Sequence, residues 1–422
     1  MNKHRTTTAL AAGALSLSLL IAACGIEPEE SDGGGAPSAG ASDGGGASQG
    51  PSSAPSADAV GGGEPEGELQ FANWPLYIDQ DDDGNSPTIQ QFIDATGVDV
   101  TYTEAIEDNT SFFGTIQPAL AAGDDTGYDI IVMTDWMIGN MARLGYLEPI
   151  NVERDVPNFL DNTDATYLER SYDPGNQYSV PWQSGITGIG YNPELVDEEI
   201  TSMSQLFDPA FIEKYCGQIG MFIEMRDSMS FAMLYNGVNP TEATLEDAEA
   251  AQETLLEQAP CVRDYYGNEY AQGLADGSLA ITMAWSGDVF QLQFDNPDLQ
   301  FVVPEEGAIL WTDNMAIPKG AAHPNAALAM MDYVYDPEVA AQIAEWVNYI
   351  TPVPGAREII LQHADEAEAE DDAETADYLR TVAESPLVFP TQDMLDRLFS
   401  YKVLDEDEER QWNELFDEVV AG

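Results

Sequence analysis

The sequence is poor in positive charge. It contains 14 lysine and arginine residues against 76 aspartate and glutamate residues, which gives a formal net charge of -62. Lysine is the rarer of the two basic residues, and the chain has only Lys3, Lys214, Lys319 and Lys402. This balance argues against nucleic acid and anionic membrane surfaces as partners, because both attract positively charged proteins. The acidic composition indicates a protein surface adapted to a salty or alkaline environment outside the cell. Net charge alone does not identify a ligand.

Histidine is equally scarce, with three residues in the chain: His4, His323 and His363. The sequence shows no Ser-His-Asp arrangement, no histidine or cysteine cluster at metal-ligand spacing and no phosphate-binding loop. The carboxylates of Glu305 and Glu306 are neighbours in sequence and would point apart, so a glycosidase pair is not indicated. The sequence therefore argues against an enzyme, and we expect neither a metal nor a cofactor.

Cysteine is also rare, and the first of the three cysteines follows an apolar segment near the N-terminus. Residues 1–23 have a basic start, an apolar stretch and small residues at the end, as a secretory signal does. The apolar run is too short and too early for a membrane span. Its ending "IAAC" resembles the lipobox of bacterial lipoproteins, whose cysteine becomes the lipidated first residue. We therefore predict a signal peptide over residues 1–23 and a lipid anchor at Cys24, outside the cytoplasmic membrane.

The two remaining cysteines, Cys216 and Cys261, are expected to form one disulfide bond. A cysteine pair in an extracytoplasmic protein favours a bond over two free thiols. A loop of this length predicts a stabilisation of about 3 to 4 kcal/mol in the chain-entropy model.

Composition divides the chain behind the signal into a tether and a folded part. Residues 24–67 consist mainly of Gly, Ser, Ala, Pro and acidic residues, which predicts a disordered tether. The folded part exceeds the size at which a single core stops growing, so two lobes are expected. We place lobe 1 at residues 68–182 plus about 314–365, and lobe 2 at about 183–313 plus about 366–422.

Hydrophobic periodicity alternates between strands and helices along the folded part. The run "YDIIVMTD" is typical of a buried parallel strand. The segment "SPTIQQFIDATG" predicts a helix with Ser86 as N-cap and Gly97 at its end. The segment "AEAEDDAETADYL" predicts an acidic helical surface. This alternation indicates an α/β protein with mainly parallel sheets.

Aromatic and acidic residues recur where the predicted strands end. They are Trp74, Tyr77, Thr134, Asp135, Trp136, Trp182, Glu224, Asp227, Trp285, Trp311 and Asp313. In open α/β sheets, ligands bind outside the carboxyl ends of the strands. Indole and phenol faces attract ammonium groups and cover methylenes, and carboxylates pair with amines. The motif "GAILWTDNMAIPKG" therefore predicts that Trp311 and Asp313 supply a ring face and a charge partner to one cationic ligand.

Seven motifs in the same order resemble the spermidine/putrescine-binding proteins of bacterial ABC transporters. They are "NWPLY", "GYDIIVMTDW", "SVPWQSGITGIGYN", "EMRD", "MAWSGDVF", "ILWTDNMAIP" and "YITPVPGA". The resemblance runs from about Leu69 to Ala356. It implies a two-lobed periplasmic-binding-protein fold of type II, with a hinge and a ligand cleft between the lobes. It also implies a polyamine ligand and ABC permease subunits as partners, and we expect the protein to be a monomer.

The resemblance implies a binding site made of rings, one hydroxyl and carboxylates. The rings that it assigns are Trp74, Tyr77, Trp136, Trp285, Trp311 and Tyr349. The polar groups that it assigns are Thr134, Glu224, Asp227 and Asp313. It implies that Trp285 and Trp311 sandwich the methylene chain and that Asp313 holds the secondary amine. Glu224 and Asp227 would hold one end of the polyamine.

The chain departs from this family pattern in two places. Pro75 and Leu76 stand where several relatives have a carboxylate, and Asp135 is the candidate replacement. Glu224 and Asp227 exchange the side-chain lengths of the usual acidic pair.

The residues themselves leave other functions open. A sugar, another cationic amine or an amino-acid derivative would also suit aromatic walls with carboxylates. The adjacent Tyr265 and Tyr266 raise a ferric-ion receptor, but no histidine partner accompanies them and the indoles would be unexplained. An enzyme or a surface adhesin is the alternative of another class. The missing nucleophile and base argue against the enzyme, and the ordered aromatic residues argue against the adhesin.

Overall fold

The computed structural model describes residues 59–81 and 83–421, and the strands of this part form one sheet. The strands are β1 (Glu68–Asn73), β2 (Asp99–Glu104), β3 (Ile130–Thr134), β4 (Ser179–Tyr191), β5 (Ile219–Phe222), β6 (Val262–Tyr266), β7 (Ile281–Trp285), β8 (Gln300–Val302), β9 (Ala308–Ala316) and β10 (Leu398–Phe399). Their order is β2-β1-β3-β9-β4-β7-β5-β6, with β10 paired to β9 and β8 paired to β4.

The sheet has two outer sets of parallel strands and an antiparallel centre. β1 pairs in parallel with β2 and β3, and β5 pairs in parallel with β6 and β7. The long central strands β4 and β9 run antiparallel to each other and to their outer neighbours β7 and β3. The parallel pairing that the sequence predicts is thus confined to the outer sets and to the short β10–β9 pair. The predicted lobe boundaries near residues 182 and 313 fall inside β4 and β9, and the division into lobes stays a prediction.

Helices surround the sheet. They are α1 (Pro87–Thr96), α2 (Asn109–Ala122), α3 (Asp135–Leu144), α4 (Val152–Asp155), α5 (Pro157–Asn162), α6 (Ser204–Phe207), α7 (Pro209–Ile212), α8 (Met225–Tyr235), α9 (Leu245–Gln258), α10 (Tyr270–Asp276), α11 (Ser286–Asp295), α12 (Pro324–Tyr333), α13 (Pro337–Val347), α14 (Ala356–Ala369), α15 (Ala373–Glu384), α16 (Gln392–Leu395) and α17 (Glu406–Ala421). Every residue of β3 and β4 is buried, as expected for strands covered on both faces. None of the described helices is long and apolar enough to span a bilayer.

Local sequence signals explain where several helices begin and end. The Ser86 side chain accepts a hydrogen bond from the amide of Ile89 at the start of α1, and Gly97 ends this helix with a φ of 75°. The acidic segment predicted as one helical surface is interrupted between α14 and α15. Asp371 has a φ of 63° there, and Asp372 caps α15 by accepting from the amide of Thr375.

The last part of the predicted tether lies against the folded body. The amide of Val60 donates to the carbonyl of Pro149 at 2.8 Å. The carboxylate of Glu66 accepts from the amide of Ala326 at 2.8 Å, in the first turn of α12. A carboxylate at a helix N-terminus satisfies amides that have no partner within the helix. Residues 59–67 are therefore held in place, whereas the rest of the tether, the signal and Cys24 lie outside the described residues.

The two cysteines that the sequence pairs are bonded in the structure. Cys216 and Cys261 form a disulfide with Cα atoms 4.1 Å apart. Cys216 precedes β5 and Cys261 precedes β6, and the amide of Gly217 donates to the Cys261 carbonyl at 2.8 Å. The bond therefore joins the beginnings of two neighbouring parallel strands.

Candidate functional site

Asp313 lies in the middle of β9 and beside the carboxyl end of β3. The register pairs it with Thr134 on one side and with Gln183 on the other. The prediction that the strand ends near Trp311 is wrong, since β9 continues to Ala316. β9 runs antiparallel to β3, and the middle of β9 lies beside the last residue of β3. Asp313 therefore lies next to Thr134 at the end of β3 and next to Tyr77, which follows β1.

The Asp313 carboxylate is buried and accepts one hydroxyl at each oxygen. Thr134 Oγ1 donates to Oδ1 at 2.7 Å, and Tyr77 Oη donates to Oδ2 at 3.1 Å. Asn109 fixes Thr134 by donating to its hydroxyl at 2.8 Å and accepting from its amide at 3.0 Å. Burial raises the pKa of Asp313 to about 6, although both hydroxyl contacts act to lower it. The result is a carboxylate of fixed orientation with a charge that is costly to hold without a cation.

Asp135, the first residue of α3, has one unused oxygen. Its Oδ1 accepts from the amide of Trp136 at 2.6 Å, whereas its buried Oδ2 has no hydrogen-bond partner among the described residues. Burial raises the pKa of Asp135 to about 7, the charge of Arg170 acts against this shift, and the charge of Asp313 adds to it. An unpaired buried acceptor of this kind suits a ligand that brings donors.

A second acidic pair lies where α8 follows β5. Asp227 Oδ1 accepts from Thr187 Oγ1 at 2.6 Å and from Tyr401 Oη at 2.7 Å, and no hydrogen bond among the described residues reaches Oδ2. Burial raises the pKa of Asp227 to about 6. Glu224 as a whole residue is exposed to solvent, but many protein atoms lie around its carboxyl group. This burial of the carboxyl group raises the pKa of Glu224 to about 7, and the charge of Asp227 adds to the shift.

Four rings connect Asp313 with the region of Asp227, and we call them the ring row: Tyr77, Tyr349, Trp311 and Trp285. Their successive centroid distances are 5.8, 5.5 and 6.5 Å. Tyr77 bonds to Asp313 at the first end, and Trp285 pairs in the sheet with Thr187, which bonds to Asp227, at the second.

Two glycines make room for the ring row. A Cβ atom at Gly185 would lie 2.2 Å from Cζ2 of Trp311, and a Cβ atom at Gly287 would lie 2.5 Å from Cε2 of Tyr349. Real Cβ atoms do not approach a ring this closely, so any side chain at either position would displace the ring. The absence of a side chain at Gly185 and Gly287 therefore leaves the space that the rings of Trp311 and Tyr349 occupy.

The other predicted rings have different surroundings. Trp182 is the extra residue of a bulge in β4, is 3% exposed and donates from Nε1 to the carbonyl of Tyr77 at 3.1 Å, so it supports Tyr77 from behind. Trp74 donates from Nε1 to the carbonyl of Val132 at 3.0 Å. One face of Trp136 is covered by the Arg226 guanidinium, whose Cζ lies 3.7 Å from the ring centroid.

A family model described as bacterial extracellular solute-binding protein matches residues 88–376, more than half of the chain. The chain belongs to the bacterial extracellular solute-binding proteins. The spermidine/putrescine-binding periplasmic protein of Salmonella typhimurium is 29% identical to this solute-binding protein over 293 residues, which is 69% of this chain and 79% of the relative. The putrescine/agmatine-binding protein of Pseudomonas aeruginosa is 27% identical over 338 residues, or 76% and 86% of the two chains.

Solved structures agree with the family. The spermidine/putrescine ABC transporter substrate-binding protein of Streptococcus pneumoniae matches this solute-binding protein with a TM-score of 0.69 and 26% identity, covering 84% of this chain and 98% of the other. The fold is therefore the type II periplasmic-binding-protein fold that the sequence predicts. Relatives and structural neighbours are transport proteins that bind solutes.

The sequence does not assign two residues of this solute-binding protein that contact site residues: Tyr401 is a candidate for the cleft whose register is too loose to place it, and Asp288 is not singled out. Tyr401 reaches Asp227 because β10 pairs with β9 at Leu398 and Ala308. The only signal was an aromatic residue after the short apolar pair "LF", which is too weak to place. Asp288 contacts Tyr349 and lies three residues after Trp285, inside the quoted motif "MAWSGDVF".

Proposed function

We propose that this solute-binding protein captures a polyamine such as putrescine or spermidine and delivers it to the permease subunits of an ABC importer. The observation that supports this function is the ring row between two carboxylate groups, Asp313 at one end and Asp227 with Glu224 at the other. A polyamine alternates ammonium groups with methylenes, so its charges match the carboxylates and its chain matches the rings. The ligands named for the two relatives agree with this choice.

Each site residue then has a proposed role. The ring row covers the methylene chain, and Asp313 accepts from one amine. Asp227 and Glu224 accept from another, while Oδ2 of Asp135 supplies the acceptor missing at Pro75 and Leu76. Residues with supporting roles around these groups are Trp74, Thr134, Trp136 and Trp182.

The raised pKa values of the carboxylates favour a cationic ligand over a neutral one. Burial raises the pKa of Asp313 and Asp227 to about 6 and that of Asp135 to about 7. These charges lack solvation in the ligand-free protein, and an ammonium group within hydrogen-bond distance replaces the lost water. A neutral sugar supplies no opposite charge to them.

The test is calorimetric titration of the purified protein with putrescine, spermidine, a neutral sugar and ferric citrate, each at low and high salt. We expect one site for a polyamine with a dissociation constant of micromolar or tighter, about -8 kcal/mol, that persists at high salt. Weak heats from many sites that vanish with salt would show that polyamines only screen the acidic surface, and the proposal would be wrong.

A second candidate function rests on Trp311. Its Nε1 is a buried donor without a partner among the described residues. An ammonium group has no lone pair to accept from it, whereas a hydroxyl or amide oxygen does. A cationic amine that also carries an acceptor is therefore the alternative solute, and a hydroxylated diamine added to the titration series separates it from a plain polyamine.

The cellular arrangement is part of the proposal. The signal over residues 1–23, a lipid on Cys24 and the following tether would hold a monomeric receptor outside the cytoplasmic membrane, where its two lobes close on the ligand. Cys24→Ala should move the protein from the membrane fraction to the soluble extracytoplasmic fraction. Mass spectrometry of the N-terminal peptide should find a diacylglyceryl group on Cys24, and an unmodified cysteine would contradict the anchor.

A further inference from the structure

Gln183 is a buried amide in β4 whose oxygen has no partner. The residue follows the bulge at Trp182 and is 2% exposed. Its Oε1 accepts no hydrogen bond from any of the described residues. A buried acceptor without a donor costs free energy, and most buried polar groups in folded proteins are therefore hydrogen-bonded. An acceptor of this kind suits a binding site, where the ligand brings the donor.

The strand pairing places this amide on the face of the sheet that carries the ring row. Residues directly opposite each other on antiparallel strands project to the same face, and residues two positions apart along a strand share that face. Gly185 pairs with Trp311, whose indole lies over the glycine. Gln183 pairs with Asp313, two positions away on each strand. Gln183 therefore lies beside Asp313 and on its side of the sheet.

β4 runs along the whole ring row on this face. Thr187 bonds to Asp227 at the second end of the row, and Gly185 lies in the middle. Gln183 is the β4 residue at the first end. The Thr187 hydroxyl donates to the carboxylate of Asp227, whereas Oε1 of Gln183 makes no hydrogen bond among the described residues. The Gln183 oxygen is therefore available to a ligand.

The charge at the first end belongs to Asp313, but this residue offers few open acceptor positions. Each of its oxygens already accepts one hydroxyl, from Thr134 and from Tyr77. A charged amine in the middle of a polyamine has two N–H donors, and a terminal one has three. When Asp313 accepts from one of them, a second N–H needs another acceptor nearby. The Gln183 oxygen is a neighbouring acceptor without a donor of its own.

We propose that Gln183 is a ligand-binding residue whose Oε1 accepts from the same ammonium group that Asp313 binds. Asp313 supplies the charge, and Gln183 supplies the acceptor for a second N–H. The two residues together select an amine that keeps at least two N–H donors over one whose hydrogens are replaced by alkyl groups. The inference rests on the proposed function, because it assumes that an amine lies beside Asp313.

The neutral amide and the carboxylate act differently on affinity. The attraction between Asp313 and an ammonium group depends on charge and distance, and an alkylated ammonium group carries the same charge. A hydrogen bond to the Gln183 amide requires an N–H that points at the oxygen. The contribution of Gln183 is therefore visible as a preference between ligands of equal charge.

The most informative variant is Gln183→Met, which removes the amide and keeps the length of the side chain. We expect the dissociation constant of the purified protein for putrescine to rise about tenfold, as for the loss of one hydrogen bond to a charged group. For N,N,N′,N′-tetramethylputrescine, which keeps one N–H at each charged end, the dissociation constant should stay nearly unchanged. Calorimetric titration measures both ligands. If wild-type protein binds putrescine, then an equal loss for the two ligands, or no loss for putrescine, would overturn the role of Gln183.

The matched control is Gln258→Met. Gln258 is completely buried in α9, and its Oε1 also lacks a partner among the described residues. Its Nε2 donates to the carbonyl of Leu206 at 2.7 Å. The substitution removes a buried amide of the same kind outside the ring row, so it should leave the affinity for both ligands unchanged. If Gln258→Met lowers the affinity as much as Gln183→Met does, the effect is general destabilisation and the role of Gln183 is wrong.

Thermal unfolding of the ligand-free protein separates this inference from the proposed function. Because Gln183→Met removes a buried acceptor without a donor, we expect its melting temperature to be higher than that of wild type. A lower melting temperature together with a lower affinity would show that Gln183 supports the fold, and it would overturn the ligand contact even in a protein that binds polyamine. Absence of polyamine binding in wild-type protein would overturn the proposed function and the ligand contact with it, whereas a raised melting temperature would still show that the amide oxygen lacks a donor inside the protein.

Discussion

Asp313 and Asp227 lie at opposite ends of the ring row, and their hydrogen bonds are distributed differently. Asp313 accepts one hydroxyl at each oxygen. Asp227 accepts both of its hydroxyls at Oδ1, and Oδ2 is free of hydrogen bonds among the described residues. Glu224 lies beside Asp227, and Asp135 lies near Asp313. The protein therefore fixes the orientation of Asp313 and leaves an open oxygen at Asp227.

The difference indicates separate tasks for the two ends. A terminal ammonium group has three donors and binds best where several acceptor positions are open. Asp227 Oδ2 and the Glu224 carboxylate provide them, whereas Asp313 offers only the lone pairs that Tyr77 and Thr134 leave. We infer that the Asp227 end anchors a terminal amine and that the Asp313 end mainly supplies a fixed charge.

The largest loss of affinity is expected for Asp227→Asn. The variant keeps the shape of the side chain but removes the charge, and it should weaken putrescine binding by about 3 kcal/mol, or about 100-fold. The ligand-free variant should melt at a higher temperature than wild type at pH 8, because a buried charge is removed. Calorimetric titration and thermal unfolding measure the two effects, and a loss of affinity together with a loss of stability would contradict the explanation.

Asp313→Asn should have the second largest effect, about 2 kcal/mol. The amide oxygen can still accept from the Thr134 hydroxyl, and the amide NH2 can donate to the Tyr77 hydroxyl oxygen, so the charge is lost while the side chain keeps its position. Titration of both variants with the same ligand tests the comparison directly. A larger loss in Asp313→Asn than in Asp227→Asn would reverse the assignment of the two ends.

The positions of these carboxylates could be predicted from the sequence only in part. β3 and β5 belong to the outer parallel sets, and the strand-end rule finds Thr134, the last residue of β3, and Glu224, which lies just after β5. The strand-end rule also selects Asp313, although this residue lies within β9, and the family motif around it supports the same choice. Trp311 was placed at a strand end because the sequence does not show that β9 runs antiparallel between β3 and β4.

Residues that act through tertiary contacts left no usable local pattern. Tyr401 follows a strand of two residues, and its contact with Asp227 depends on the pairing of that strand with β9. Asp288 looks like an ordinary acidic residue in the first turn of a helix, where carboxylates are common for local reasons. Its two hydrogen-bond partners are Tyr270, the first residue of α10, and Tyr349, which follows α13. The contact of the Arg226 guanidinium with the ring of Trp136 is also tertiary, because Arg226 lies in the separate motif "EMRD".

The affinity for the ligand should depend on pH through both ends of the ring row, and each end should contribute less to this dependence than its substitution does. The pKa values of Asp227 and Asp313 are raised to about 6, and those of Asp135 and Glu224 to about 7. Ligand ammonium groups resemble lysine and stay charged, so they bind the ionised carboxylates and release protons. Putrescine affinity should therefore rise from pH 5 to pH 8, by about tenfold for each carboxylate of pKa about 6 that the ligand needs ionised, and level off above the highest of these pKa values.

The ligand-free protein should respond to pH in the opposite direction. Between about pH 4 and pH 7, the folded state holds protons that the unfolded carboxylates have already lost, so stability falls as pH rises. Thermal unfolding at pH 5 and pH 8 measures this fall, with Asp227→Asn as the control that should show less of it. Titration in buffers of different ionisation enthalpy counts the released protons. Binding at pH 6 without proton release would show that these carboxylates are already ionised in the ligand-free protein.

Removal of the disulfide should have the smallest effect on affinity and a large effect on stability. The Cys216→Ser, Cys261→Ser variant should lose about 4 kcal/mol of unfolding free energy in the chain-entropy model, because the bond closes a loop between residues 45 positions apart. Its polyamine affinity should match wild type. The bond joins the beginnings of β5 and β6, whereas Glu224 and Asp227 follow the opposite end of β5, about 13 Å along a strand of four residues.

A loss of affinity in this variant would contradict the prediction and would distinguish the two acidic ends of the ring row. If the variant lost affinity as Asp227→Asn does, the open oxygen of Asp227 would depend on a strand position that the disulfide maintains, while the Asp313 end, fixed by β3 and β9, would not.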